Sequence, residues 1–265
     1  MTNKSFNRRR ILQMLAGGAY LASTGERAFA AESRIDKLLV EAKAHGGISQ
    51  RVDFISGALR GTRYRGYTLV GGPHRREEFV VRDDAFDCVT FCETVLAAAI
   101  ARQPTEFKSV LRAIRYHNGI VSWRERNHYF FEWGEHNVEN KTCQALAMDG
   151  SVTFEKTVYW HRALGKRRFA MKAIPRDVFM ANTKMLADGD IIGFVTTRPD
   201  LDYFHVGFVS FARDGELLLR HASKSRHRVL DERMDRFVAD NRVRYVTLLR
   251  PEEPGADAVA ARKDG

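Results

Sequence analysis

The sequence predicts an α+β fold in which a helix that carries a thiol packs on an antiparallel sheet. Apolar residues recur at helical spacing through the first half of the chain, whereas the final third is rich in Val, Ile, Phe and Leu. Asp214-Gly215 is a hairpin turn signal between two of the late apolar segments. Because the helices mostly precede the strands, the class is α+β with an antiparallel sheet.

Four helices are expected in the first half. Their apolar positions are Ile35, Leu38, Leu39 and Ala42; Val52, Ile55 and Leu59; Cys88, Cys92, Val95, Leu96 and Ala99; and Phe107, Val110, Leu111 and Ile114. Gly46 and Gly61 end the first two helices, and Thr105 starts the fourth. Asp87 is a plausible N-cap for the third helix, which runs to about Ala101 along one apolar face.

The remaining segments are a loop and five strands. Residues 63–72 form a loop with Gly and Tyr, and residues 78–82 form a short strand. Four strands in the final third are expected at residues 190–197, 203–212, 216–223 and 242–249. The helix that carries the thiol would pack on this sheet.

Composition and charge narrow the class of partner. The chain has 265 residues, is 44% hydrophobic and carries a formal charge of +10, and it has no apolar run long enough to span a bilayer. The first 30 residues hold five basic residues and one acid, which leaves +6 for the rest. That charge suits an anionic polymer. Nucleic acid is a poor candidate because the basic residues are scattered, and peptidoglycan, with its carboxylates, is a better one.

The N-terminal 30 residues are expected to be a signal peptide. Arg8-Arg9-Arg10-Ile11-Leu12 fits the twin-arginine export pattern, a short apolar run follows, and Ala28-Phe29-Ala30 offers a cleavage site after Ala30. The alternative is a soluble amphipathic helix. We therefore expect a periplasmic protein without stable membrane insertion after cleavage. Residues 31–250 would form a single catalytic domain, and residues 251–265 a flexible tail.

The three cysteines are an odd number for an exported chain. At least one of Cys88, Cys92 and Cys143 must be free or paired between chains. A bridge between Cys92 and Cys143 is possible and not required. A zinc site is unfavoured, because there is no Cys-x-x-Cys pair and no helical His-x-x-x-His. We expect no metal and no organic cofactor.

Cys88, His205 and His221 together predict nucleophilic catalysis. A cysteine in the first turn of a helix has its thiolate favoured by the helix dipole and by free backbone N–H groups. His205 and His221 fall in successive predicted strands, where one imidazole can take the thiol proton and the other can orient it. Each residue alone has a simpler explanation, a buried thiol or a core histidine. The combination favours a cysteine hydrolase.

Several motifs in this order resemble a known family. They are Gly61-Thr62-Arg63-Tyr64, Asp87-Cys88-Val89-Thr90-Phe91, Arg115-Tyr116, Arg126-Asn127-His128-Tyr129, Trp133 with Asn137, Gly189-Asp190-Ile191-Ile192, Leu201-Asp202 leading to His205-Val206-Gly207, and His221-Ala222-Ser223. The chain between Leu59 and Arg250 resembles the N-acetylmuramoyl-L-alanine amidase-like family, a branch of the NlpC-type, papain-like cell-wall cysteine hydrolases.

The resemblance implies a papain-like fold and hydrolysis of the amide bond between N-acetylmuramic acid and L-alanine in peptidoglycan or its fragments. It implies that Cys88 is the nucleophile, His205 the general base and His221 the orienting residue. Tyr64 matches a tyrosine near the nucleophile that could donate to the oxyanion. The extra cysteine, Cys92, departs from the pattern.

Other residues are candidates for substrate contact. Arg126 and Asp202 are candidate ligands of the substrate, with a salt bridge as the alternative for each. Trp133 lies in a region dense in aromatic residues, which is either an aromatic-walled glycan cleft or ordinary packing. Two alternative functions remain open. One is a γ-D-glutamyl-diaminopimelate endopeptidase on the same Cys-His-His machinery, and the other is a non-catalytic wall-binding module.

Overall fold

The computed structural model describes residues 33–159 and 161–253. Within these residues the helices are α1 (Arg34–Ala42), α2 (Ile48–Ala58), α3 (Cys88–Ile100), α4 (Pro104–Arg115), α5 (Phe130–Glu139), α6 (Arg176–Ala181) and α7 (Met234–Asp240). The strands are β1 (Arg63–Tyr64), β2 (Val70–Gly72), β3 (Arg75–Glu78), β4 (Ala85–Phe86), β5 (Cys143–Leu146), β6 (Val152–Val158), β7 (Arg167–Pro175), β8 (Ile191–Val195), β9 (Tyr203–Phe211), β10 (Leu217–Ser223), β11 (Arg228–Arg233) and β12 (Tyr245–Pro251). The predicted signal peptide and most of the predicted tail lie outside the described residues.

A ten-stranded sheet organises the fold. Its strand order is β4-β1-β11-β10-β9-β8-β12-β7-β6, and β5 also pairs with β12. Its pairs are antiparallel except for β1 with β4, which is parallel. The prediction of an α+β fold with an antiparallel sheet is therefore confirmed. Strands β2 and β3 form a separate hairpin.

Helix α3 is the centre of the larger core. Phe91 of α3 packs edge-on against Phe208 of β9, with ring centroids 5.5 Å apart, so the predicted packing of this helix on the sheet is confirmed. The prediction of a single apolar face is wrong, because every residue from Thr90 to Ile100 is buried. Helices α1, α2 and α4 contribute to the same core, and a helix covered on all sides is apolar all round.

The opposite side of the sheet carries a second core. Phe237 of α7 packs against Phe194 of β8, with centroids 4.7 Å apart, and Val209 and Leu219 belong to the same cluster. Side chains alternate between the two faces of a strand, so β9 sends Phe208 to the α3 side and Val209 to the α7 side. The central strands are therefore held between helices on both faces.

Arg220 joins the sheet to the first helices. Its guanidinium contacts Asp53 of α2 at 2.6 Å and Asp231 of β11 at 2.7 Å, and it is 6% exposed. A buried arginine with two carboxylate partners is geometrically well defined. This network fixes the position of β10 next to His221.

The predicted helices and late strands are confirmed, with three corrections. Residues 63–72 are not only a loop, because β1 and β2 lie within them. The predicted strand at residues 78–82 is wrong, since β3 ends at Glu78. Pro251, expected to start the tail, is the last residue of β12 and pairs with Cys143. All three cysteines are free thiols.

None of the helices in the described part of the chain is both long and apolar enough to cross a bilayer.

Candidate functional site

The start of α3 places Cys88 at a helix N-terminus. The Thr90 N–H donates to Oδ1 of Asp87 at 2.8 Å, and the Asp87 N–H donates to Oγ1 of Thr90 at 2.9 Å. This reciprocal capping box fixes Asp87 as the N-cap, as predicted, and makes Cys88 the first helical residue.

The thiol of Cys88 is half-buried and protonated at neutral pH. Burial, and then the neighbouring Asp87 carboxylate, raise the pKa of Cys88 to about 12. The N–H groups of Val89, Cys88 and Val206 act in the opposite direction and favour the thiolate. The predicted effect of the helix N-terminus is therefore present, and desolvation outweighs it.

The two candidate histidines form a hydrogen-bonded pair. Nε2 of His205 lies 2.6 Å from Nδ1 of His221. Burial, and then the neighbouring His221, lower the pKa of His205 to about 3. Burial lowers the pKa of His221 to about 4, partly offset by Asp231. Both imidazoles are therefore neutral at pH 7, and each carries its proton on one of its two ring nitrogens.

Gly207 allows this close approach of the two strands. A Cβ atom at position 207 would lie 2.8 Å from the backbone oxygen of Arg220 and 3.0 Å from Cβ of His221. Real Cβ atoms essentially never show the first distance, and the second is tighter than nine in ten real Cβ contacts, so β10 would have to move. Gly207 therefore makes room for β10 beside β9.

The thiol meets β9 next to His205. The backbone N–H of Val206, the residue that follows His205, lies close enough to favour the Cys88 thiolate. Within residues 33–159 and 161–253, His205 makes its side-chain hydrogen bond to His221 and none to Cys88. Hydrogen bonds between catalytic groups are often long without substrate and tighten when it binds.

Tyr64 joins the same group of residues. Its half-buried hydroxyl lies near Cys88, and burial, followed by the charge of Cys88, raises the pKa of Tyr64 to about 12. The phenol therefore keeps its proton at neutral pH and can donate a hydrogen bond. Tyr64 and Cys88 are thus neighbours, and Cys88 meets β9 at Val206, the residue that follows His205.

The remaining predicted site residues, Arg126, Asp202 and Trp133, make contacts that stabilise the fold away from Cys88. Arg126 pairs with the buried Glu77 at 3.1 Å, which agrees with the salt-bridge alternative. Asp202 is 4% exposed and accepts the Phe131 N–H at the start of α5, at 2.7 Å. Trp133 is 0% exposed, which corrects the prediction of a substrate-contacting tryptophan. The contacts of Arg126 with Glu77 and of Asp202 with Phe131 do not bring either residue to Cys88.

The aromatic region around α5 is packed rather than open. Trp133 stacks on Phe130 with centroids 5.0 Å apart. Nε2 of His136 lies 2.9 Å from the Ala113 oxygen, and Nε2 of His128 lies 2.6 Å from the Trp123 oxygen. Of the two explanations open from the sequence, these contacts favour ordinary packing over a glycan cleft.

Sequence reasoning missed Glu232 and the Val206 amide. Oε2 of Glu232 lies 3.3 Å from Nε2 of His221. No local motif could indicate this contact, because it depends on the register of β10 with β11. The described residues contain no cluster of His, Cys, Asp or Glu side chains placed to hold a metal ion.

Comparison with solved structures identifies the fold. A crystal structure of a DUF1460-family protein from Legionella pneumophila matches with a TM-score of 0.73 at 21% identity, over 84% of this chain and 96% of that chain. A crystal structure of an N-acetylmuramoyl-L-alanine amidase from Bacteroides uniformis matches with a TM-score of 0.64 at 22% identity, over 83% of this chain and 100% of that chain. At these identities the likeness shows a shared fold.

Comparisons of the sequence test for a shared family as well as a shared fold. Comparison with curated proteins finds no match. The profile of one family matches residues 54–245, which span the start of α3 and both strands of the histidine pair. The chain belongs to the N-acetylmuramoyl-L-alanine amidase-like family.

Proposed function

We propose that this protein is a cysteine amidase of the papain-like, NlpC type that hydrolyses the N-acetylmuramoyl–L-alanine bond of peptidoglycan or its fragments. The observation that carries the proposal is the meeting of Cys88, at the first position of α3, with β9 at Val206, directly beside the His205–His221 pair. Family membership and the expected charge of +6 without the first 30 residues agree with a wall polymer as substrate.

The neutral resting state sets the order of proton movement. Sγ of Cys88 attacks the amide carbonyl carbon while its proton passes to His205, so that thiolate and imidazolium form only as the reaction proceeds. The C–N bond then breaks, and His205 returns the proton to the leaving nitrogen of L-alanine. Water next attacks the thioester, His205 accepts its proton, and the Cys88 thiol is restored as the muramoyl carboxylate leaves.

Hydrogen-bond donors for the oxyanion come from the start of α3 and from Tyr64 of β1. The N–H groups of Cys88 and Val89 at the start of α3 favour the thiolate of Cys88, and the Tyr64 phenol remains protonated beside it. Donors fixed in place before the reaction stabilise the developing charge without reorganisation. His221 holds the imidazole of His205 through the 2.6 Å contact between their rings.

The mass of the products distinguishes the candidate reactions. Purified protein is incubated with a defined muramyl tetrapeptide, and the products are analysed by mass spectrometry. The amidase releases N-acetylmuramic acid and the intact tetrapeptide. Cleavage between D-glutamate and diaminopimelate would show the endopeptidase instead. Intact substrate bound without turnover would show a wall-binding module.

Export is part of the proposal and has its own test. Arg8-Arg9 followed two positions later by Ile11-Leu12 supports the twin-arginine route to the periplasm, with cleavage after Ala30. Replacing Arg8 and Arg9 together with lysines should leave precursor in the cytoplasm on fractionation. Undiminished mature protein in the periplasm would show that the general secretory route carries it.

A further inference from the structure

The imidazole of His221 has a second ring nitrogen that faces a carboxylate. Its Nε2 lies 3.3 Å from Oε2 of Glu232, and the His221 side chain is 2% exposed. In the part of the chain that the structure describes, this nitrogen has no well-aligned hydrogen bond. A buried polar atom without an aligned partner calls for a physical explanation.

The register of the sheet places Glu232 beside His221. His221 of β10 lies opposite Leu230 of β11, and Glu232 follows two residues later on the same face. Diagonal neighbours on one face are within reach of long side chains. The contact is therefore built into the strand pairing and does not depend on a loop.

The direction of the histidine–histidine hydrogen bond decides which nitrogen of His205 is basic. Between Nε2 of His205 and Nδ1 of His221, one nitrogen must donate and the other accept. His205 can accept the thiol proton at Nδ1 only if its own proton is on Nε2 and is donated to His221. His221 must then carry its proton on Nε2, where Glu232 can accept it.

We infer that Glu232 is a positioning residue that fixes the tautomers of His221 and His205 and so leaves Nδ1 of His205 free to take the Cys88 proton. This inference rests on the proposed function. The opposite tautomer would direct the lone pair of His221 Nε2 toward the Glu232 carboxylate, which is electrostatically unfavourable. Glu232 therefore selects one of the two directions.

Other charged groups surround His221 and define the controls. The titratable and charged groups near it are His205 on β9, Asp231 and Glu232 on β11, Asp240 on α7 and Arg226 in the turn before β11. Asp240 borders the same cavity of about 330 Å³ as Glu232, on its α7 side. Asp240→Asn therefore removes a negative charge from the same cavity and serves as the matched control.

The tautomers can be observed without substrate. Nitrogen-15 labelled histidine and long-range proton–nitrogen spectra identify which ring nitrogen carries the proton. We expect the wild type to carry it on Nε2 of both His205 and His221. Glu232→Ala and Glu232→Met should lose this single tautomer, whereas Glu232→Gln should retain it, because an amide oxygen can also accept the proton. A wild-type His205 protonated on Nδ1 would overturn the inference directly.

The reactivity of the thiol gives an independent readout. The rate of Cys88 alkylation by iodoacetamide at pH 7 should fall on the order of tenfold in Glu232→Ala, because the base is then held in the wrong tautomer for part of the time. Asp240→Asn should alkylate like the wild type. Equal rates and tautomers in wild type and Glu232→Ala would refute the role of Glu232. Because neither measurement uses peptidoglycan, such a result would leave the proposed substrate untouched.

Discussion

A side chain at position 207 would press on His221, one of the proposed site residues. In Gly207→Ala, the new Cβ would lie 2.8 Å from the backbone oxygen of Arg220, which cannot move without its strand. Overpacking of this kind costs about 1–3 kcal/mol of stability. Since His221 lies 3.0 Å from the same Cβ, we expect turnover to fall at least as strongly as stability. Turnover on a muramyl peptide and thermal unfolding measure the two effects.

The control for this change is Gly47→Ala. Gly47 precedes α2, and a Cβ added there would meet nothing within 4 Å. Its turnover should stay close to that of the wild type, and its melting temperature should fall only slightly, because Gly47 is the N-cap of α2 and alanine is a weaker N-cap than glycine. If Gly207→Ala matches Gly47→Ala in turnover, the close approach of β9 and β10 is not needed for the site.

The start of α3 sets the reactivity of the thiol at the scale of an element. Asp87 caps the helix, and its carboxylate also raises the pKa of Cys88. Asp87→Asn keeps a side-chain oxygen for the cap and removes the negative charge. We therefore expect the pKa of Cys88 to fall, and the titration midpoint of its alkylation rate to move to lower pH.

The matched control is Glu78→Gln, which removes one exposed carboxylate on β3. Its alkylation profile should coincide with that of the wild type. An unchanged or higher midpoint in Asp87→Asn would mean that Asp87 does not disfavour the Cys88 thiolate.

Elements with local apolar patterns were predictable from the sequence. Helix α3 and strand β9 carry nearly continuous apolar runs and were placed within a few residues. Hairpin strand β6 was missed, because its exposed face carries Thr153, Glu155 and Thr157 and it lacks an apolar run. Strand β1 was missed because two residues become a strand only by pairing with distant β11 and β4.

Part of the candidate site was also predictable from local motifs, and part was not. Cys88, His205 and His221 stand in recognisable local motifs, so their roles could be proposed from the sequence. The contact of Glu232 with His221 comes from strand register, which the sequence does not specify. Trp133 was misjudged because an aromatic side chain suits a cleft and a core equally well.

At the scale of the whole molecule, buried histidines make stability depend on pH. Burial lowers the pKa of His128 to about 4, below the value of about 6.5 expected in the unfolded chain. Between these values the unfolded state binds the proton and the folded state does not, so the free energy of unfolding falls as pH falls from 6.5 to 4. Above pH 6.5 this contribution is complete and constant.

Substitution of His128 isolates this contribution. His128→Gln removes the titration, so its stability should fall less than that of the wild type between pH 6.5 and 4. Denaturant unfolding at a series of pH values gives both slopes. Identical slopes would show that His128 titrates alike in the folded and unfolded states.

A second cysteine on α3, Cys92, is the control for the proposed nucleophile Cys88. Cys88 is the half-buried first residue of α3, whereas Cys92 lies one turn deeper and is 0% exposed. Alanine at either position removes one thiol without adding a buried polar group. Circular dichroism and thermal unfolding establish that each variant is folded before activity is compared.

The most direct test is turnover of a defined muramyl tetrapeptide by wild type, Cys88→Ala and Cys92→Ala, with products quantified by mass spectrometry. We expect no release of tetrapeptide by folded Cys88→Ala, because no thiol remains to form the thioester. We expect Cys92→Ala to retain most of the wild-type rate. Release of tetrapeptide by purified Cys88→Ala at a rate comparable to the wild type would contradict cysteine catalysis at this site.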